Sequence, residues 1–156
     1  MNSVDPSVYR ARREEIDLAF ALVNEYYKEA AVISRENREE FEQQYFGEGG
    51  GIWLAFVDGL VAGCVALRRL EAQASSGEIK RMYVRSPLRA KGIATSLLAA
   101  IEEFAREHNY DWLFLDTTDS MERAAGFYRR NGYTPCERYN DNPQATVFMK
   151  KRIIRR

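Results

Sequence analysis

The chain has 156 residues, 46% of them hydrophobic, which suits one globular domain over residues 1–156 burying about 70% of its unfolded surface. Its 23 basic and 23 acidic residues cancel, so the overall field gives no drive toward nucleic acid or membrane, and any anion site must be local. One histidine and no C-x-x-C pair exclude the usual zinc sets, and without a basic-then-apolar start or a run of about 18 apolar residues, a metal-free cytoplasmic protein is expected.

In chain order, residues 7–12 read as a short strand and residues 14–33 as a helix with Ile16, Phe20, Val23, Tyr27 and Ala30 on one face. Ser34, ahead of Arg38-Glu39-Glu40-Phe41, marks the start of a second, more polar helix, which Gly47 and Gly49-Gly50-Gly51 end. Residues 52–57 and 60–70 are β-rich runs around Asp58-Gly59, a hairpin signal. Residues 71–77 form a flexible connection and residues 78–85 the next strand. A helix follows with Ala94, Leu97, Leu98, Ile101, Phe104 and Ala105 on one face, then the apolar run Trp112-Leu113-Phe114-Leu115. Strand, helix and buried strand predict a parallel pair joined by a right-handed crossover. A last helix covers residues 120–130 before Gly132, and residues 133–139 and 146–152 close the chain as strands. Cys64 and Cys136 read as small core residues, and His108 as a complement to a helix dipole.

The stretch Arg89-Ala90-Lys91-Gly92-Ile93-Ala94 lies between a strand and a helix start. There, unpaired helix N–H groups and the positive dipole end favour an anion, and Gly92 keeps the approach free of a Cβ. A P-loop is excluded because Pro87 and Ile93 stand where it needs Gly and Lys, and G-x-G-x-x-G fails at Ile52. What remains is R-x-x-G-x-A, read as a pyrophosphate cradle.

That motif resembles the acyl-coenzyme A signature [QR]-x-x-G-x-[GA] of the GNAT N-acetyltransferase superfamily. Ala124-Ala125-Gly126-Phe127-Tyr128-Arg129-Arg130-Asn131-Gly132-Tyr133 is similar to its A-x-x-[FL]-Y-x-[KR]-x-G-[FY]. The resemblance implies an α/β (α+β) GNAT fold: a mixed, mostly antiparallel twisted sheet of six to seven strands, helices on both faces and a splayed parallel pair at the centre. It implies acetyl-coenzyme A as cosubstrate, no metal, and direct attack by a primary amine of a small molecule or peptide. Main-chain groups of Met82, Tyr83 and Val84 are expected to meet the pantetheine arm, with an oxyanion site near Met82 and Tyr83. Amides of Arg89, Ala90, Lys91, Gly92, Ile93, Ala94 and Thr95 are expected to hold the pyrophosphate. Met121 stands where many members carry Asn, so a side-chain hydrogen bond to the cofactor is lost or comes from elsewhere.

Tyr128 matches the tyrosine near the coenzyme sulfur. Full proton transfer from a phenol near pKa 10 to a thiolate near 8.5 costs about 2 kcal/mol, so hydrogen-bond stabilisation of the leaving sulfur describes it better. Met121, Ala124, Ala125 and Tyr128 also share one helical face, which suits a core aromatic. Glu78 occupies the position of a family base, and equally suits an ion pair with Lys80 or Arg81. A lysine-like amine must lose a proton at a cost of about 4 kcal/mol near pH 7.4, which is the work a base would do.

For the acceptor, Tyr26, Asp116, Tyr139 and Asn140 are candidates, with Tyr27, Tyr45 and Asn142 behind them. The basic tail from Lys150 reads as a solvated strand end without an aromatic platform. Two rival classes stay open, a non-catalytic acyl-coenzyme A binding module and a nucleic-acid binder using that tail, as does the choice between monomer and homodimer.

Overall fold

Asp58 and Gly59 both take left-handed backbone, φ 51° and 79°, as a two-residue type I′ turn needs, and join β2 (Gly51–Val57) to β3 (Leu60–Arg69). The computed structural model describes residues 4–118 and 122–154. β1 (Ser7–Arg10) runs antiparallel to β2, and β4 (Ser76–Val84) antiparallel to β3. β5 (Trp112–Thr117) lies parallel to β4, then β7 (Val147–Arg152) and β6 (Thr134–Pro135) complete the order β1-β2-β3-β4-β5-β7-β6. The seven-stranded sheet is thus mostly antiparallel with one parallel pair in its middle, the architecture the resemblance implies.

Alternation along the strands divides the core. Trp53, Val65, Leu67, Ile79 and Leu113 face α3 (Ile93–Glu107) and α4 (Glu122–Arg130), where Leu97, Leu98, Ile101 and Tyr128 are buried. Ile52, Leu54, Cys64, Ala66 and Tyr83 face α1 (Ile16–Glu29) and α2 (Arg38–Tyr45) on the other side. Each fully buried leucine or isoleucine contributes about 1.5–3 kcal/mol of transfer free energy, enough to fix α3 against the sheet.

Several boundaries differ from the sequence reading. The first helix is preceded by a 3-10 turn at Arg13–Glu15 and stops at Glu29. Asn37, not Ser34, caps α2: its side chain accepts from the Glu40 N–H at 2.9 Å while Glu40 accepts from the Asn37 N–H at 2.9 Å. β4 begins at Ser76, inside the expected connection, because Ser76 and Gly77 pair with Trp112 and Leu113. Of residues 133–139 only Thr134–Pro135 pair as a strand, Pro135 at a position whose N faces the open edge; the Cys136 N–H still donates to the Phe148 carbonyl at 2.8 Å, and the chain then leaves the edge. Met121 lies outside the described residues. No helix among the described residues is long and apolar enough to cross a membrane.

Candidate active site

β4 and β5 are hydrogen-bonded only from Ser76–Glu78 to Trp112–Phe114; beyond these residues each strand pairs solely with its outer neighbour. A bulge turns β4 away. Its register steps from Lys80 opposite Ala66 to Tyr83 opposite Cys64, so Arg81 and Met82 together face Val65, and Arg81 takes φ 58°. The Cys64 thiol, its pKa pushed up to about 12 by burial, donates to the Arg81 carbonyl at 3.3 Å and supports the bulge. The gap opens into a cavity of about 1610 Å³ running from the mouth of α3 to residues 140–145.

At the α3 end the cavity is lined by Met82, Tyr83, Val84, Arg89, Ala90, Gly92, Ile93, Ala94 and Thr95. Gly92 is the N-cap with φ 89°, no side chain caps the helix, and the Ser96 N–H is the first taken, by the Gly92 carbonyl at 3.1 Å. Helix geometry leaves the preceding amides of Ile93, Ala94 and Thr95 without intrahelical acceptors. A Cβ built on Gly92 meets no atom within 4 Å, so that mouth is open. A diphosphate fits such a mouth on both grounds. Lys91 is not on the cavity wall, though its carbonyl accepts from the Val4 N–H at 3.1 Å. Arg89 Nε donates to the Val84 carbonyl at 2.7 Å, and its far end pairs with Glu29 of α1.

Midway along the cleft stands Tyr128, 6% exposed, its ring edge-on to Phe127 and Tyr133 at 5.2 and 5.5 Å. Burial first, and then the neighbouring Tyr26, raise its pKa well above the usual phenol value, so it stays protonated. Tyr133 beside it donates to Glu102 at 2.9 Å, and Lys151 of β7 closes on the same carboxylate at 3.1 Å. This trio, with Tyr133 and Glu102 buried, ties the segment after α4 to α3 and β7 next to Tyr128.

The far wall is polar. Glu78, 1% exposed, accepts from Arg68 Nε at 2.8 Å, Tyr139 Oη at 2.7 Å and Asn140 Nδ2 at 3.1 Å. Burial pushes its pKa up, but Lys80, Arg68 and the Tyr139 hydrogen bond outweigh this and hold it below the ordinary 4.5. Asn140 Nδ2 also donates to Asp116 at 2.6 Å, so one amide bridges the two carboxylates. Lys80 is 4.0 Å from Glu78 Oε1, and burial pulls its pKa down, with Glu78 opposing. Arg81 Nη2 reaches Glu36 at 3.4 Å, and the guanidinium lies 4.9 Å above the Tyr27 ring. Gln144 crosses the cleft: its side chain accepts from the Ile33 N–H at 2.9 Å and donates to the Ala31 carbonyl at 3.2 Å.

Of the expected acceptor residues, Tyr26, Asp116, Asn140 and Asn142 line this cavity. Tyr27 and Tyr45 are core residues whose hydroxyls donate to Glu36 at 3.0 and 3.1 Å. Tyr139 and Glu78 stand behind the wall, not on it. The sequence reading missed Arg68, Lys80, Arg81 and Gln144 as wall residues. Lys80-Arg81 was visible as a basic doublet in a strand, a signal read only as pairing for Glu78. In the tail, Lys150 lies 4.8 Å over the Trp112 ring and Lys151 is engaged by Glu102. No cluster able to hold a metal occurs among the described residues.

Residues 17–133 match the model of the acetyltransferase (GNAT) family. The chain is 39% identical over 95 residues to N-acetylaspartate synthetase of Rattus norvegicus, covering 60% of this chain and 31% of that protein. It thus spans about a third of that relative's length. It is 35% identical over 106 residues to the uncharacterized N-acetyltransferase YsnE of Bacillus subtilis, covering 65% of this chain and 68% of that one. In fold it is similar to N-acetylglutamate synthase from Neisseria gonorrhoeae, solved with coenzyme A and N-acetyl-glutamate: TM-score 0.79, 22% identity, 99% of this chain and 36% of that one.

Proposed function

The chain belongs to the acetyltransferase (GNAT) family, and from that premise we propose that it is an N-acetyltransferase moving acetyl from acetyl-coenzyme A to the primary amine of a small molecule or peptide. The observation that carries this reading is one continuous cleft joining the open mouth of α3, Tyr128 and a charged wall on β4 and β5. Donor and acceptor sites meet where the strands part. When bound, the coenzyme supplies a thioester whose carbonyl is open to attack.

Around it, the Ile93, Ala94 and Thr95 amides hold the diphosphate. Arg89, Ala90, Lys91 and Gly92 shape the approach, and the unpaired edge of β4 at Met82, Tyr83 and Val84 takes the pantetheine arm. Main-chain N–H groups near Met82 and Tyr83 stabilise the developing oxyanion. Tyr128 donates a hydrogen bond to the departing sulfur, which its raised pKa suits better than proton release. Asp116 draws the ammonium of the acceptor into the cleft. Glu78, expected as the base, is charge-satisfied, of lowered pKa and off the cavity wall. Its part is to position Tyr139 and Asn140, and through Asn140 the Asp116 carboxylate. A cytoplasmic location and a monomer or homodimer go with this reading.

Thiol release from acetyl-coenzyme A, measured with a panel of primary amines, tests it. Acceptor-dependent release is expected; tight coenzyme binding without any release overturns it in favour of a binding module.

A further inference from the structure

The bulge at Arg81 has a chemical result. Ile79 and Met82 pack toward α3, while Lys80 and Arg81, consecutive in the chain, both turn to the α1 and α2 face of the sheet beside Glu78. A regular strand sends neighbours to opposite faces. Two cations are thereby gathered on the cleft wall of β4, with Arg68 next to them on β3.

Arg68 is satisfied by Glu78 at 2.7 Å. The Lys80 side chain, 14% exposed, makes no hydrogen bond to any described residue; its 4.0 Å neighbour, Glu78 Oε1, already accepts from Arg68. Arg81 reaches Glu36 only at 3.4 Å, and its Nε is buried with no partner among the described residues. Charged donors left short of acceptors in a desolvated place cost free energy, and an incoming anion recovers it. Across the cleft, on β5, stands Asp116, held by Asn140. Within the strand gap, Lys80 and Arg81 of β4 thus face the Asp116 carboxylate of β5, while Glu36 lies beside Arg81 at the cavity's edge.

We propose that the acceptor is an amine bearing a carboxylate next to it, the chemistry of an amino acid, with the carboxylate on Lys80, backed by Arg81, and the amine toward Asp116 and the strand gap. This rests on the acetyl-transfer reading and names its substrate class. Lys80 is an acceptor-binding residue here.

The test is acceptor-dependent thiol release with aspartate, glutamate, alanine, their carboxamides, a diamine, and a short peptide starting with aspartate. Carboxylate-bearing acceptors are expected to exceed their amides by about tenfold or more in kcat/KM, the worth of one charge-assisted hydrogen bond. Lys80→Met raises KM for the acids by a similar factor with KM for acetyl-coenzyme A unchanged, and Lys80→Arg recovers most of it. Calorimetry of succinate with the coenzyme A-loaded protein gives a readout free of turnover, with binding weakened in Lys80→Met. Free acids preferred over the peptide are expected; the peptide preferred overturns the amino-acid proposal, since the carboxyl next to its amine is an amide. Amides or the diamine preferred, or acid KM unmoved in a folded Lys80→Met, overturns the proposal and leaves the acetyl-transfer reading standing. No release with any amine overturns both. Should Lys80→Met fail to fold, the wild-type panel and the succinate titration decide alone.

Discussion

Arg68 Nη2 stands 2.7 Å from Glu78 Oε1 across directly paired positions of β3 and β4. Against the desolvation that pushes its pKa up, nearby Lys80, this pair and the Tyr139 hydrogen bond hold the Glu78 pKa below its ordinary 4.5. A depressed folded value stabilises the native state fully above 4.5, and that contribution is lost as pH falls through the lowered value. Glu78→Gln is expected to cost about 3 kcal/mol at neutral pH, the lower end for breaking a buried pair, and to flatten the acid limb. Urea titrations of both proteins from neutral to acid pH check this. A gap between them that persists unchanged in acid contradicts it.

Tyr128→Phe is expected to lower turnover about tenfold or more while leaving coenzyme affinity alone, since only the hydroxyl is removed from a ring held by Phe127 and Tyr133. Steady-state kinetics beside coenzyme A calorimetry separate the two quantities. Equal turnover returns Tyr128 to the core.

Gly92→Glu places a carboxylate at the mouth of α3 and forces a side chain into φ 89°. Loss of coenzyme binding is expected. Gly92→Ala isolates the backbone component: about 1–2 kcal/mol of stability, the left-handed cost for a residue with a Cβ, with binding weakened far less. Thermal melts and calorimetry read both, and a Glu variant that binds as tightly as wild type dissolves the diphosphate assignment.

Gln144→Ala removes both hydrogen bonds that tie residues 138–145 to the connection after α1. KM for the acceptor is expected to rise severalfold, with KM for the donor unaffected, because the span covers only the acceptor half of the cleft. Faster amide exchange at Ile33 in the variant marks the same loosening; donor KM rising in step refutes the division.

The end of the cleft at the mouth of α3 was legible because it is written locally. Gly92 before an apolar helical stripe and Tyr128 five residues before Tyr133 are features of short range, and the Asp58-Gly59 hairpin is another. The charged wall is not written that way. Nothing in residue type marks Arg81 for left-handed backbone, so the doublet Lys80-Arg81 reads as ordinary alternation until the register slip is seen. Glu78 looked available because its partners come from far along the chain: Arg68 across the sheet, and Tyr139 and Asn140 more than sixty residues on. The expected strand at 133–139 keeps only its first part for a similar reason, since Arg138 donates to the carbonyls of Asn140, Asn142 and Ala145, folding the rest into a loop.

The short parallel pairing of Ser76–Glu78 with Trp112–Phe114 leaves a seam down the middle of the molecule. The sheet is two flaps, β1 to β4 and β5 to β7, stitched at one end and splinted by α3. Mechanical pulling across it should unzip the flaps before either frays.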